Sequence, residues 1–438
     1  MLSYKKFVIV IFLIFGFYQS YGQDIEAIKK EIPSLISDYK YLHQNPELSF
    51  LEKNTADYLA NKMRSLGYEV TENFGGTGIV AILKNGNGPK ILIRTDMDAL
   101  PIKEETGVAF ASKKMQKDIE GIERPVMHAC GHDMHMTVWL GTAQYLATHK
   151  NEWKGTLMMI GQPAEERGGG SDAMLKAGLY KKFFTPDVAL ALHVRSNKPA
   201  GSISYCPEYA MANVDMAQIK FSGIGGHGAY PHNTIDPIVM SAQFITDLQN
   251  IVSREIAPTD PAVITVGTIH GGTKGNIIPA DVNLELTIRS YKDEVRNHLI
   301  KAIQRKAKAV AESFNVPKDR YPIFELKDTY TPALYNDPEL TDKIVSSFKK
   351  YFGVEKIKKI SPVMGGEDFG RFGKTKERVP VFMYFLGIAN PQKYDDAKKN
   401  GTKLPSLHSS KVIPDIYPSI LTGVSSMVNA VYTVLKTD

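Results

Sequence analysis

Four apolar runs punctuate the first half of this sequence: GIVAIL at 78–83, ILIRTD at 91–96, TLMMIG at 156–161 and VALALHV at 188–194. A strand with one wet face alternates polar and apolar residues, whereas a run that is apolar throughout has to be covered on both sides. Helical patterns lie between several of these runs. In residues 52–66 (EKNTADYLANKMRSL) apolar side chains recur at helical spacing, and Gly67 follows as a stop. Doubly buried strands separated by amphipathic helices predict an α/β layer domain.

Near residue 210 the pattern changes. QIKFSG (218–223), AVITVGTIHGG (262–272) and DVNLELTIRS (281–290) read as strands. The stretches 237–255 and 291–315 read as helices, with room for a last strand at 321–327. The order β-α-β-β-α-β suits a ferredoxin-like module. Residues 340–438 return to an α/β pattern, so the small module is expected to be inserted into the larger domain. The expected boundaries are 23–209 and 326–438 for the larger domain and 210–325 for the insert.

The first 22 residues read as a signal peptide. Lys5 and Lys6 precede an apolar run from Phe7 to Phe17, and Ser20-Tyr21-Gly22 offers a cleavage site near Gly22. Eleven apolar residues are too few to span a bilayer, so no stable membrane anchor is expected after cleavage, and the protein is expected to be secreted or periplasmic. The formal charge of +6 falls to +4 once Lys5 and Lys6 are removed. That excess is small and scattered, which argues against nucleic acid as a partner. With 438 residues, 43% of them hydrophobic, the chain can bury a sizeable core unaided, so a metal here would serve catalysis rather than folding.

The densest chemical cluster is His128-Ala-Cys130-Gly-His132-Asp133-Met-His135. Cys130 and His132, two apart on a glycine-containing loop before a helix at 136–148, can turn towards one cation, and thiolate with imidazole suits zinc and similar divalent ions. Asp133 could orient a ligating imidazole. The alternative is a polar helix start with a buried free cysteine. The chain has one other cysteine, Cys206. An exported protein would ordinarily pair the two, but a metal-bound Cys130 could not. Glu165 and Glu166 follow the strand TLMMIG, where open α/β sheets place their sites, so one can ligate while the other acts as a base. Acids at a helix start are also favoured without any function. His193 and His408 are weak signals alone, and Asp96 and Asp98 sit at another strand end. Gly223-Ile-Gly225-Gly226-His227-Gly228 matches a dinucleotide fingerprint formally, but no helix opens after it. Its glycines free a loop to present His227.

Together these residues resemble the two-metal aminoacylase and carboxypeptidase family, in the branch of hippurate hydrolases, N-acetyl-diaminopimelate deacetylases and auxin-conjugate hydrolases. The resemblance rests on HQNPELSF (43–50), RTDMDALP (94–101), MHACGHDMHMT (127–137), QPAEE (162–166) and LHV (192–194). It continues in GGHGAYPHNTIDPI (225–238), GGTKGNIIP (271–279), MGGEDF (364–369) and LHSS (407–410). It implies a zinc-peptidase-like α/β/α catalytic domain and a ferredoxin-like dimerisation lid, hence a homodimer. It implies two divalent ions per chain (Zn, Mn, Co or Ni) held by Cys130, His132, Glu166, His193 and His408. Cys130 stands where other branches have a bridging Asp. Asp96 stands where they have a His ligand, and is left out of the set. Asp98 is implied as a supporting carboxylate and Glu165 as the general base. His227 is implied to bind the carbonyl oxygen, and Asn276 and Arg289 to hold the carboxylate of a small substrate. Ser410 departs from the branch, which has Pro there.

The expected activity is hydrolysis of the amide bond of N-acyl amino acids or related small amides. An exopeptidase of the same family is the rival within enzymes, and a secreted metal- or peptide-binding module the rival outside them. Glu165 argues against the latter, because a binder needs no second carboxylate beside a ligand.

Overall fold

The computed structural model describes residues 25–327 and 330–435. The expected signal peptide over 1–22 lies outside them. The chain divides into two units, one formed by Met1–Glu208, Tyr335–Ser361 and Phe372–Asp438, the other by Tyr209–Leu334 and Pro362–Arg371.

In the larger unit the four apolar runs become the strands Ile79–Asn85, Lys90–Asp96, Gly155–Gln162 and Val188–Pro199. They lie in an eight-stranded mixed sheet. Its spatial order is Glu69–Thr71, Ile79–Asn85, Gly155–Gln162, Lys90–Asp96, Val188–Pro199, Val381–Ala389, Ile203–Tyr205, Ile357–Lys359. The four central strands, from Gly155–Gln162 to Val381–Ala389, run parallel to their neighbours within that group. All nine residues of Val381–Ala389 are buried, as expected of a strand covered on both faces. The covering helices include one over 25–44, Lys53–Ser65, His132–Thr148 and Ile416–Leu435. Their apolar sides (Leu35, Leu59, Trp139 and Val428 among them) share one continuous core with the sheet. Ile416–Leu435 is long and apolar enough to cross a membrane, but 67% of its most apolar stretch is buried inside the protein, as in the core helix of a globular domain.

The smaller unit has a four-stranded antiparallel sheet in the order Ala262–His270, Asp281–Ser290, Asn213–Ser222, Ile323–Leu326. The helices Pro237–Asn250 and Asp293–Ser313 pack on it, giving the expected β-α-β-β-α-β order. Here the strands alternate buried with more exposed residues, and Ile219, Phe221, Leu284 and Ile288 face Phe244 and Leu299 of the helices. The helix expected over 237–255 changes to a π turn at Ile251–Glu255. Pro362–Arg371 falls with this unit rather than with the second stretch of the larger one, because Val363 and Gly365 bond the backbone at Ala210 and Ala212.

Candidate active site

The helix beginning at the HACGHD cluster starts earlier than the sequence suggests. It runs His132–Thr148, so His132 is its first residue rather than part of a preceding loop. Gly131 permits this. Its φ is +80°, which disfavours any side chain, and a Cβ there would come 2.5 Å from Val194 Cγ2. The tight turn brings Cys130 against the strand that carries His193.

The two candidate ligand imidazoles of this region, His132 and His193, are fixed by backbone carbonyls. His132 Nδ1 donates to Asp98 O at 2.8 Å, and His193 Nδ1 donates to Val194 O at 2.9 Å. A carbonyl only accepts, so each Nδ1 carries the proton and each Nε2 is left to face the cluster. His193 Nε2 lies 3.5 Å from Cys130 Sγ, and His408 Nε2 lies 3.3 Å from the same sulfur. His408 Nε2 is also 3.4 Å from Glu166 Oε1, and His132 Nε2 is 4.0 Å from it. Two sets of ligand atoms therefore overlap, Cys130–His132–His193 and Cys130–Glu166–His408, with Cys130 common to both. This donor set would suit divalent cations, with Cys130 available to either group.

The residues fit a metal by their own condition. His132 Nε2 and Glu166 Oε1 are buried polar atoms without a hydrogen-bond partner, a costly state in a protein interior unless something binds there. The local charge points the same way. Burial and the nearby carboxylates of Glu166, Glu165 and Asp96 push the Cys130 thiol far up. Burial alone would lower His132, but Asp96, Asp98 and Glu166 hold it at about 10. Divalent cations reverse both effects, favouring thiolate and neutral imidazole.

Asp98 supports the cluster from beneath. Its carboxylate accepts from Glu165 N at 3.1 Å, from Glu166 N at 3.0 Å and from Ser49 Oγ at 2.6 Å. One residue thus orients His132 and clamps the turn carrying both glutamates. That turn is a single 3-10 turn, Glu165–Arg167, entered through Ala164 at φ +49°. A left-handed alanine costs roughly 1–2 kcal/mol, and Glu52 holds it in place by accepting its N–H at 2.8 Å. Glu165 Oε2 lies 3.9 Å from His132 Nε2, at the rim of the cluster. His408 is also left-handed, at φ +64°, and its N–H bonds Ala129 O at 2.8 Å. The departure at Ser410 is accommodated by two hydrogen bonds to Glu105: Ser410 O accepts from Glu105 N and Ser410 Oγ donates to Glu105 Oε2, each at 2.8 Å.

Asp133 does not orient a ligating imidazole. Its carboxylate binds His43 Nδ1 at 2.7 Å, and His43 Nε2 reaches Glu104 at 3.0 Å. Burial disfavours the His43 imidazolium, but Asp133 and Glu104 raise its pKa to about 9. Asp96 has both oxygens engaged, by Arg94 at 2.7 Å and by His135 Nδ1 at 2.6 Å. His135 in turn accepts from Val194 N at 2.9 Å, and burial first of all drives its pKa down to about 3, so it is a neutral strut. Glu52 and Glu104 lie in none of the motifs, and although His43 and Arg94 open HQNPELSF and RTDMDALP, the support roles of all four escaped the sequence reading.

The other expected site residues lie in the smaller unit. His227 sits on the short strand Gly226–His227, paired with Ile277–Ile278, and Asn276 O accepts from Gly228 N at 2.9 Å. His227 and Asn276 therefore flank one two-stranded ribbon. Arg289 lies on the strand Asp281–Ser290 and donates to Met364 O at 2.7 Å. Cys206 is buried and forms no disulfide with Cys130.

Residues 92–401 match the model of the peptidase family M20/M25/M40. The chain belongs to this family. Thermostable carboxypeptidase 2 of Saccharolobus solfataricus is 35% identical over 89% of this chain and 94% of its own length. The N-acetyldiaminopimelate deacetylase of Halalkalibacterium halodurans is 36% identical over 84% and 94%. The solved structure of the Bacillus subtilis YXEP protein, described as a dinuclear metal-binding peptidase of the M20 family, matches with a TM-score of 0.73 and 26% identity. That match covers 94% of this chain and all of YXEP.

Proposed function

We propose that this M20 member is a metal-dependent amidohydrolase that cleaves the amide bond of N-acyl amino acids or similar small amides. The observation that carries the reading is the convergence of Cys130, His132, Glu166, His193 and His408, with two orphaned ligand atoms, beside a second glutamate. In this reading the five residues hold two divalent ions, drawn from Zn, Mn, Co or Ni. When bound, such ions polarise a carbonyl and make water acidic. Glu165 receives the proton of the attacking water and returns it to the leaving nitrogen. Asp98 keeps both glutamates at their stations. By family resemblance, His227 binds the carbonyl oxygen and Asn276 and Arg289 hold a free carboxylate, with the chain acting as a homodimer. A guanidinium grips a carboxylate through two parallel bonds, which suits an amino-acid leaving group. The signal-peptide pattern of residues 1–22 is what supports export in this reading.

The carboxypeptidase relative keeps exopeptidase action as the second reading. The test is a hydrolysis screen of N-acyl amino acids against dipeptides, after chelator treatment and reconstitution with each metal in turn. Faster turnover of N-acyl amino acids supports the proposal. Faster turnover of dipeptides transfers it to the exopeptidase reading, and turnover that survives chelation overturns the metal assignment.

A further inference from the structure

Beside the metal cluster, within the larger unit, lies a cavity of about 660 Å³ lined by Arg195, Asn197, Tyr394, Lys398, Lys403 and Leu407 among others. Two of these residues tie it to the cluster. Leu407 precedes His408. Arg195 is two residues after His193 on the strand Val188–Pro199, so both side chains leave the same face, ~7 Å apart along the strand. The pairing of His193 with Phe385 and of Arg195 with Gly387 shows the register is regular here.

Arg195 is half-buried, and among the described residues its guanidinium makes no hydrogen bond and no ion pair. Its charge rests against the Phe385 ring at 5.3 Å. Buried guanidinium groups are normally met by a carboxylate or phosphate. Lys398 and Lys403 are exposed at the rim and alone would read as a solvated face. With Arg195 they line the cavity with three cationic side chains. Asp396, on the helix that carries Lys398, has an oxygen taken by Gln392 at 3.0 Å.

We propose that this cavity is an anion subsite of the active centre, in which Arg195 receives a second carboxylate carried by the substrate. The inference rests on the amidohydrolase reading and names its substrate class: N-acyl amino acids with an additional acid, either at the far end of the acyl group or on the amino-acid side chain.

Two substrate pairs that differ only in that charge test it with the metal-loaded enzyme. N-succinyl-leucine is compared with its neutral succinamoyl analogue, and N-acetylglutamate with N-acetylglutamine. The acid of at least one pair is expected to have the higher kcat/KM by about tenfold or more, and which pair shows it tells which end of the substrate enters. The ratio should fall towards one in Arg195→Gln and shrink in Lys398→Glu, an exposed change that remains informative if the first variant folds poorly. Ratios near one in both pairs, or a preference that survives Arg195→Gln, overturn the subsite. Calorimetric binding of glutarate against its half-amide, glutaramate, separates this failure from that of the parent reading. Arg195-dependent preference for glutarate in an enzyme inert towards both pairs keeps the subsite and sinks the amidohydrolase. Hydrolysis without acid preference does the reverse.

Discussion

Glu165 and Glu166 are adjacent in sequence yet occupy different positions. Glu166 Oε1 faces His408 and His132, whereas Glu165 approaches the cluster from its rim. Both backbone N–H groups are held by one carboxylate, Asp98, so neither glutamate can drift without the other. If Glu165 moves protons and holds no metal, Glu165→Gln keeps the shape and removes the base. The expected result is a fall in kcat of ~10²–10⁴-fold with two metal ions per chain retained, read by elemental analysis beside a rate assay. Activity above about 5% of wild type would take Glu165 out of the role. Glu52 shows what a residue can do without touching the cluster. Burial and the charge of Asp98 raise its pKa to about 8 while it holds the left-handed Ala164.

At the scale of elements, the start of the helix His132–Thr148 decides whether the cluster assembles. Gly131→Ala forces a Cβ onto Val194 in a left-handed conformation. A destabilisation of about 1–3 kcal/mol is expected, seen as a lower melting temperature, together with weaker metal retention. An unchanged melting temperature would show that the turn can relax. The same helix is tied to that over 25–44 through Asp133 and His43. His43 has an ordinary value of 6.5 and is raised to about 9 in the folded protein. Its imidazolium therefore contributes fully to stability below pH 6.5, and the contribution disappears as pH rises through about 9. Denaturant titrations should show wild type exceeding His43→Gln by a margin that shrinks from pH 6 to pH 9.5. A constant margin would mean that the pair is not charged.

For the whole molecule, the proposal places His227 at a substrate bound by the metal residues, and a homodimer offers a second source for it. Chains carrying Glu165→Gln and His227→Ala, each inactive alone, can be co-expressed and purified as a heterodimer. If His227 acts across the dimer, the site with intact Glu165 receives an intact His227 and about half the wild-type activity returns. If it acts within its own chain, every site lacks one group and the heterodimer stays inactive. Near-normal turnover by the His227→Ala homodimer would dismiss the residue from catalysis.

The α/β class and the β-α-β-β-α-β order of the smaller unit were legible in the sequence, since they depend on local periodicity. Doubly buried strands read as unbroken apolar runs, and one-sided strands read as alternation. Cys130, His132, Glu166 and Glu165 were legible as types because short spacing on one turn limits where they can point. His193 and His408 were weak alone; their meaning comes from lying 3.5 and 3.3 Å from one sulfur across long stretches of chain. Local pattern is silent about such distances. It is equally silent about partners, and so Asp133 was expected beside a ligand when it serves His43, and Glu52 was missed. A buried acid's role is set by which donors the fold brings to it, and those donors come from distant segments. Sequence determined which chemistry the chain carries; tertiary packing alone decided which side chains share it, because burial makes each polar group find a partner wherever in the chain that partner lies.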